Sequence, residues 1–151
     1  STPKPSSAAS DVYKRQQVKS AHLTDSVLFK GYTTDVNAVY NRAQIGLLPS
    51  RAEGFSLMLL EAQAHGLPMI ANDVKYGPSD IIKDGVSGLL TTDGNIQQLA
   101  DAMLDLLTHA DKLAEFSEQA YQNATRYSED AVFEQWQSLL TYFEPTFVTE
   151  K

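Results

Sequence analysis

Two short apolar runs with a helix-forming stretch between them constrain this chain more than any other feature. Residues 45–48 and 68–71 are apolar or small throughout, and residues 55–65 between them are rich in Leu, Met, Ala, Glu and Gln without a proline. Those residues favour a helix, and Gly66 followed by Pro68 supplies a stop. The pattern therefore predicts a buried strand, a turn, a helix, a second turn and a second buried strand. Parallel strands cannot be joined by a tight hairpin and need a crossover of this kind, so the stretch reads as one βαβ unit of a parallel sheet.

Further elements follow on either side. Residues 27–32 and 85–90 are expected to be strands, making four in all. Asp35 is placed to cap a helix running through Arg42, with Val36, Val39, Tyr40 and Ala43 on one side. Gly77-Pro78 marks a turn, and residues 80–83 a single helical turn. From Asn95 to about Tyr142 the spacing predicts three amphipathic helices. Their stripes are Ile96, Leu99, Met103, Leu106 and Leu107; Leu113, Phe116, Ala120, Ala124 and Tyr127; and Val132, Trp136, Leu139 and Phe143. All three are expected to cover the sheet. The fold class is α/β, a Rossmann-like parallel sheet with flanking helices. Residues 1–17 show no periodicity and are rich in Ser, Pro and Ala, so they are read as a disordered leader foreign to the domain. The domain itself is expected over residues 18–143, with residues 144–151 a tail.

The chemistry is expected where the helix of residues 55–65 begins. Gly54 allows a close backbone turn, and Ser56 is a candidate N-cap. The amides from Phe55 to Met58 precede the first intrahelical hydrogen bonds, and with the helix dipole they make an anion site suited to a phosphate or diphosphate. Glu53 sits in the turn, and Glu61 lies on the helix eight residues later. A carboxylate beside a phosphate is repelled by it, so Glu53 is suited to neutral hydroxyls on the group that the phosphate carries. A hydrogen bond to an ionised acceptor contributes about 1.5–3 kcal/mol. Glu61, on a different side of the helix, is suited to a second set of hydroxyls such as a ribose. The plainer reading makes Glu53 an acid favoured by the dipole and Glu61 a solvated helix acid.

Glu53-Gly54-Phe55-Ser56, Glu61-Ala62 and Gly66-x-Pro68, in this order and spacing, resemble the C-terminal domain of family 4 retaining glycosyltransferases of the GT-B fold. Residues 75–85, with Gly77-Pro78-Ser79-Asp80 and Gly85, and then Gly88, look more specifically like poly(glycerol-phosphate) alpha-glucosyltransferases and related protein O-glycosylating enzymes. The resemblance covers roughly residues 26–107. It implies that Glu53 contacts the donor sugar's hydroxyls in an electrostatic and orienting role, that Gly54, Phe55, Ser56 and Leu57 surround the donor's phosphates and sugar, and that Glu61 binds the ribose. It places Tyr32, in Gly31-Tyr32-Thr33, near the nucleotide base. The implied donor is a UDP-hexose, UDP-glucose or UDP-N-acetylglucosamine. The implied acceptor is a hydroxyl of a polyol phosphate, a protein or a glycan. No metal or other cofactor is expected; the location would be cytoplasmic, with peripheral membrane contact through parts outside this chain. The family's domain would begin with further βα units, including a basic pair that neutralises the diphosphate, so the chain reads as the second half of a Rossmann-like domain whose edge at residue 27 is unpaired. The rival class is a non-catalytic nucleotide-binding or interaction module, or an inactive truncated fragment.

Composition narrows the alternatives. The chain has 151 residues, enough for one core, and a formal net charge of −7 from 12 basic and 19 acidic residues. That balance argues against a nucleic-acid partner, which needs a basic footprint. It also leaves a phosphate ligand dependent on local donors. The absence of cysteine excludes disulfides and thiolate metal sites. His22, His65 and His109 have no metal-ligand spacing. No Gly-x-Ser-x-Gly surrounds Ser56, and no Gly-x-Gly-x-x-Gly supports an NAD enzyme. Lys75 is either a cation for phosphate or a solvated loop lysine.

Overall fold

The structure, a computed structural model, describes residues 5–147, with side chains described over 11–143. Residues 1–4 and 148–151, the outer parts of the expected leader and tail, lie outside the described residues. The chain divides into two compact units, Ser1–Thr34 and Asp35–Lys151.

In the first unit, α1 (Pro5–Ser20) is a continuous helix. The expectation of an unstructured leader through residue 17 is therefore corrected. Pro5 suits the first helical position, and the Lys-Arg-Gln-Gln run favours a helix without an amphipathic stripe, which is why periodicity missed it. Residues 27–32 form no strand, a second correction. Ser26 and Val27 donate their amides back to the Leu23 carbonyl in a turn, and Gly31 takes a φ of +70° that breaks extended backbone. An apolar run becomes a strand only with a ladder partner, and this one has none among the described residues.

The second unit opens with α2 (Val36–Tyr40), capped as expected: the Asp35 carboxylate accepts from the Ala38 amide at 3.0 Å. Next come β1 (Gly46–Leu48), α3 (Leu57–Ala64), β2 (Met69–Asp73), α4 (Pro78–Ile81) and β3 (Gly88–Thr92). Then follow α5 (Ile96–Thr108), α6 (Ala110–Ala124), a 3-10 turn (Thr125–Tyr127) and α7 (Glu129–Phe147). The sheet is parallel, in the order β1-β2-β3. It thus has three described strands rather than four, and β1 is an edge. The βαβ unit expected from the sequence is β1-α3-β2, and the helices begin and end within a few residues of their expected bounds.

Alternation along β2 builds two apolar layers. Met69 and Ala71 face one side, with Leu59, Ala62, Leu67, Ile81 and Ile82. Ile70 faces the other, with Leu106 and Phe116, flanked by Leu99, Met103 and Leu113. Helices therefore cover both faces, which is why the strands read as unbroken apolar runs. Two of the three expected stripes pack here. Ile96 and Leu107 do not; both are exposed. The third stripe, on α7, is exposed throughout, with Trp136 at 59%. α7 does not cover the sheet, and that expectation is corrected as well.

Met69 sits between two glycines in register, Gly46 on β1 and Gly88 on β3. A Cβ on Gly88 would lie 2.4 Å from the Met69 carbonyl oxygen; one on Gly46 would meet the Met69 thioether at 2.2 Å. Gly88 is thus a packing position within β3, whereas Gly85 turns, at φ +72°. A second clamp is polar. Asn123 on α6 donates to the Gln63 side-chain oxygen at 2.7 Å and to the Ile81 carbonyl at 2.6 Å, and Gln63 donates to Ser87 at 3.2 Å. Gln63 and Ser87 are fully buried and Asn123 nearly so, so each bond replaces one to water.

Two outcomes follow for stability. Gly88→Ala should cost about 1–3 kcal/mol in urea unfolding, because backbone must shift, and more than Gly46→Ala, where only a thioether end must move; the reverse order would contradict this packing. Asn123→Ala should cost about 1–3 kcal/mol by removing the shared donor from two buried acceptors; a change within error would contradict the clamp.

Candidate functional site

A parallel sheet sends every strand's C-terminal end to one edge. Residues 49–56 after β1, 74–77 after β2 and 93–95 after β3 therefore share that edge, where ligands of open α/β sheets bind. Side-chain bonds tie these segments together. The Asn72 amide nitrogen donates to the Ser50 carbonyl at 3.3 Å and to the Asp93 carboxylate at 3.1 Å. The Thr91 hydroxyl donates to the Ala71 carbonyl and lies 3.3 Å from the Asn72 side-chain oxygen. Sequence reasoning missed Asn72 and Thr91, which look like ordinary strand-end residues in a linear reading.

The closest contact at the edge is backbone against backbone. Gly77 takes φ +92° and ψ −70°, a strained γ-turn conformation open in practice to glycine. A Cβ there would lie 1.8 Å from the Gly54 carbonyl oxygen and 3.5 Å from the Glu53 Cβ. Asp80 holds the turn by accepting from the Gly77 amide at 3.2 Å. Gly54 supplies its carbonyl to this contact, while a Cβ on Gly54 itself would meet open space. That open side leaves room for a ligand against the turn.

The helix start is as expected in position and different in detail. Ser56 is the N-cap residue of α3, but its buried side chain makes no capping bond. Leu59 and Leu60 both donate to the Ser56 carbonyl, at 3.1 and 3.4 Å. The amides of Ser56, Leu57 and Met58 precede these and have no intrahelical acceptor. Leu57 is 62% exposed and lies at the open edge. The Phe55 ring packs edge-on to Tyr127, with the ring centres 5.6 Å apart, and the Tyr127 hydroxyl donates to the Asp80 carbonyl at 2.7 Å. Glu53 is half-buried beside Gly77, with no ion pair among the described residues. Glu61 is exposed one turn into the helix and accepts from the Tyr40 hydroxyl at 3.3 Å.

Tyr32 belongs to the first unit and is 93% exposed. Lys75 is exposed with its ammonium 5.0 Å from the Tyr76 ring centre. Arg51 lines a cleft of about 160 Å³ at the sheet edge with Asn72 and Asp93. A groove of about 860 Å³ runs along α7 and is lined by none of the candidate site residues. Among the described residues, no three of His, Asp and Glu come together as a metal site, and no helix is long and apolar enough to cross a membrane.

Comparison with known proteins matches this arrangement to one family. The pattern of the family described as glycosyl transferases group 1 matches residues 9–123. The chain is 35% identical over 128 residues to an exopolysaccharide phosphotransferase of Streptomyces coelicolor, covering 84% of this chain and 14% of that protein. It is 30% identical over 122 residues to the poly(glycerol-phosphate) alpha-glucosyltransferase of Bacillus subtilis, covering 81% and 18%. A Staphylococcus aureus TarM variant in complex with fondaparinux, alpha-GlcNAc-glycerol and UDP superposes with a TM-score of 0.76 at 33% identity, covering 83% of this chain and 26% of that one. The chain thus spans about a quarter or less of the length of these relatives. A βαβ unit with a Glu-x7-Glu helix start, in a match that runs through most of the chain, places this protein in the glycosyl transferases group 1 family.

Proposed function

We propose that this chain is the donor-binding half-site of a retaining GT-B hexosyltransferase that takes a UDP-hexose, with UDP-glucose and UDP-N-acetylglucosamine the leading donors. The observation that carries the reading is the turn of residues 53–58. It presents three amides without intrahelical acceptors beside an open glycine face, with a carboxylate on each side. In this reading the donor's phosphates lie against the Ser56, Leu57 and Met58 amides, where the helix dipole favours negative charge. Gly54 admits the sugar, and Glu53 accepts from its hydroxyls, orienting it and favouring the charge that develops as the bond to phosphate loosens. Glu61 accepts from the ribose. The departing phosphate handles the acceptor's proton, no side chain forms a covalent intermediate, and no metal is required.

The acceptor is a hydroxyl on a polymer, and a polyol phosphate is favoured. The Bacillus subtilis relative is named for poly(glycerol-phosphate), and the Staphylococcus aureus structure holds alpha-GlcNAc-glycerol with UDP. The site of action in this reading is the cytoplasm, with peripheral membrane contact through other parts of the protein.

Calorimetric titration with UDP and UDP-glucose tests the reading. Glu61→Ala should weaken both ligands by about 1.5–3 kcal/mol, roughly ten- to a hundredfold in Kd. Glu53→Ala should weaken UDP-glucose by a similar factor and leave UDP unchanged. A folded chain that binds neither ligand, or whose Glu61→Ala variant binds UDP as before, would overturn the assignment.

A further inference from the structure

α2 and α3 meet across a polar seam of which the donor reading uses Glu61 alone. Asn37, Tyr40 and Asn41 share one face of α2 and its cap, and Glu61 and His65 are a turn apart at α3. The Tyr40 hydroxyl donates to one Glu61 oxygen, Oε2, at 3.3 Å. The Tyr40 ring lies 5.4 Å from the His65 ring, tilted by 38°. Both His65 nitrogens are occupied, Nδ1 by the Asn41 side-chain oxygen at 2.9 Å and Nε2 by that of Asn37 at 3.1 Å. Tyr40 is itself half-buried against the layer containing Leu59, Met69 and Ile81. The phenol is therefore anchored in the core at its ring, and it delivers its hydroxyl to an exposed carboxylate.

For Glu61 this contact supplies order. A solvent-exposed glutamate on a helix samples several rotamers, and fixing it when a ligand arrives costs side-chain entropy. A hydrogen bond from a group that cannot move meets that cost in advance. It engages one oxygen, and an ionised carboxylate has about four acceptor positions, so capacity remains for a ligand's hydroxyls. The phenol also keeps its proton. Burial first, and then the Glu61 charge and hydrogen bond, raise its pKa above the ordinary phenol value, so it remains a donor at neutral pH.

We infer that Tyr40 is a positioning residue, whose hydroxyl holds the Glu61 carboxylate in the orientation that receives the donor's ribose hydroxyls. This rests on the assignment of Glu61 to the ribose, and the test separates the two. Binding of UDP and of 2′,3′-dideoxy-UDP is measured on the full chain for the wild type, Tyr40→Phe and Glu61→Gln. The wild type should prefer UDP, and Glu61→Gln should lose the preference. Tyr40→Phe, which keeps the ring on His65, should reduce it by about three- to tenfold while leaving dideoxy-UDP affinity unchanged. A structural role alone would weaken both ligands together and leave their ratio intact.

If Glu61→Gln retains the preference, or the wild type shows none, the ribose assignment falls and the Tyr40 role with it. If Glu61→Gln removes the preference and Tyr40→Phe does not, the positioning role alone is overturned. A ligand-free readout accompanies these. In the Tyr40 ring-carbon NMR titration, Glu61→Gln should lower the phenol's pKa, and an unchanged value would contradict the contact.

Discussion

The site depends on one contact, the packing of the Gly77 backbone against the Gly54 carbonyl. It joins the segment after β1 to the segment after β2, and nothing larger than a hydrogen atom fits between them. The turn that carries Glu53 and leads into α3 is therefore braced from behind rather than left as a free loop. Asn72 extends the brace by bonding both the segment after β1 and the segment after β3. Preorganisation of this kind matters because a hydrogen-bond donor accelerates or binds best when it need not move to meet its acceptor. The buried clamp of Gln63, Ser87 and Asn123 does the same for α3, tying it to α6 and to the segment before β3. Together these contacts hold the helix axis, and so its dipole, against the sheet.

The electrostatics fit an anion held by fixed dipoles. The chain is acidic overall, and the described ion pair of Lys112 with Asp105 lies at the α5–α6 junction away from the sheet edge. Backbone amides at a helix start are equivalent to about half a positive charge and cannot be titrated away. They suit a phosphate in surroundings of the wrong net sign. The two flanking acids differ in setting, one half-buried in the turn and one exposed and hydrogen-bonded by the Tyr40 hydroxyl.

Much of this is legible in sequence, for physical reasons that can be stated. The β1-α3-β2 unit is readable because helix-forming composition, glycine-proline punctuation and buried apolar runs all agree there. Asp35 is readable as a cap, and Asn95 as a helix start, because a short oxygen-bearing side chain before an apolar stripe has few other uses; Asn95 does accept from the Gln98 amide at 3.0 Å. What failed shares a cause. Residues 27–32 have strand composition, but a strand exists only with a partner, and composition does not supply one. The α7 stripe has core spacing, yet spacing records the capacity to pack and not the presence of a surface to pack on. α1 shows the converse, helix propensity without periodicity. Gly77 and Tyr40 were hidden because their roles come from residues more than twenty positions away.

The most direct test of the account is amide NMR of the uniformly labelled chain titrated with UDP. The largest shifts should fall on Ser56, Leu57 and Met58, with smaller ones at Gly54 and Gly77, and inorganic pyrophosphate alone should shift the same three amides. UDP binding that leaves those amides unmoved, or that shifts the α7 groove instead, would contradict a donor site built on the start of α3.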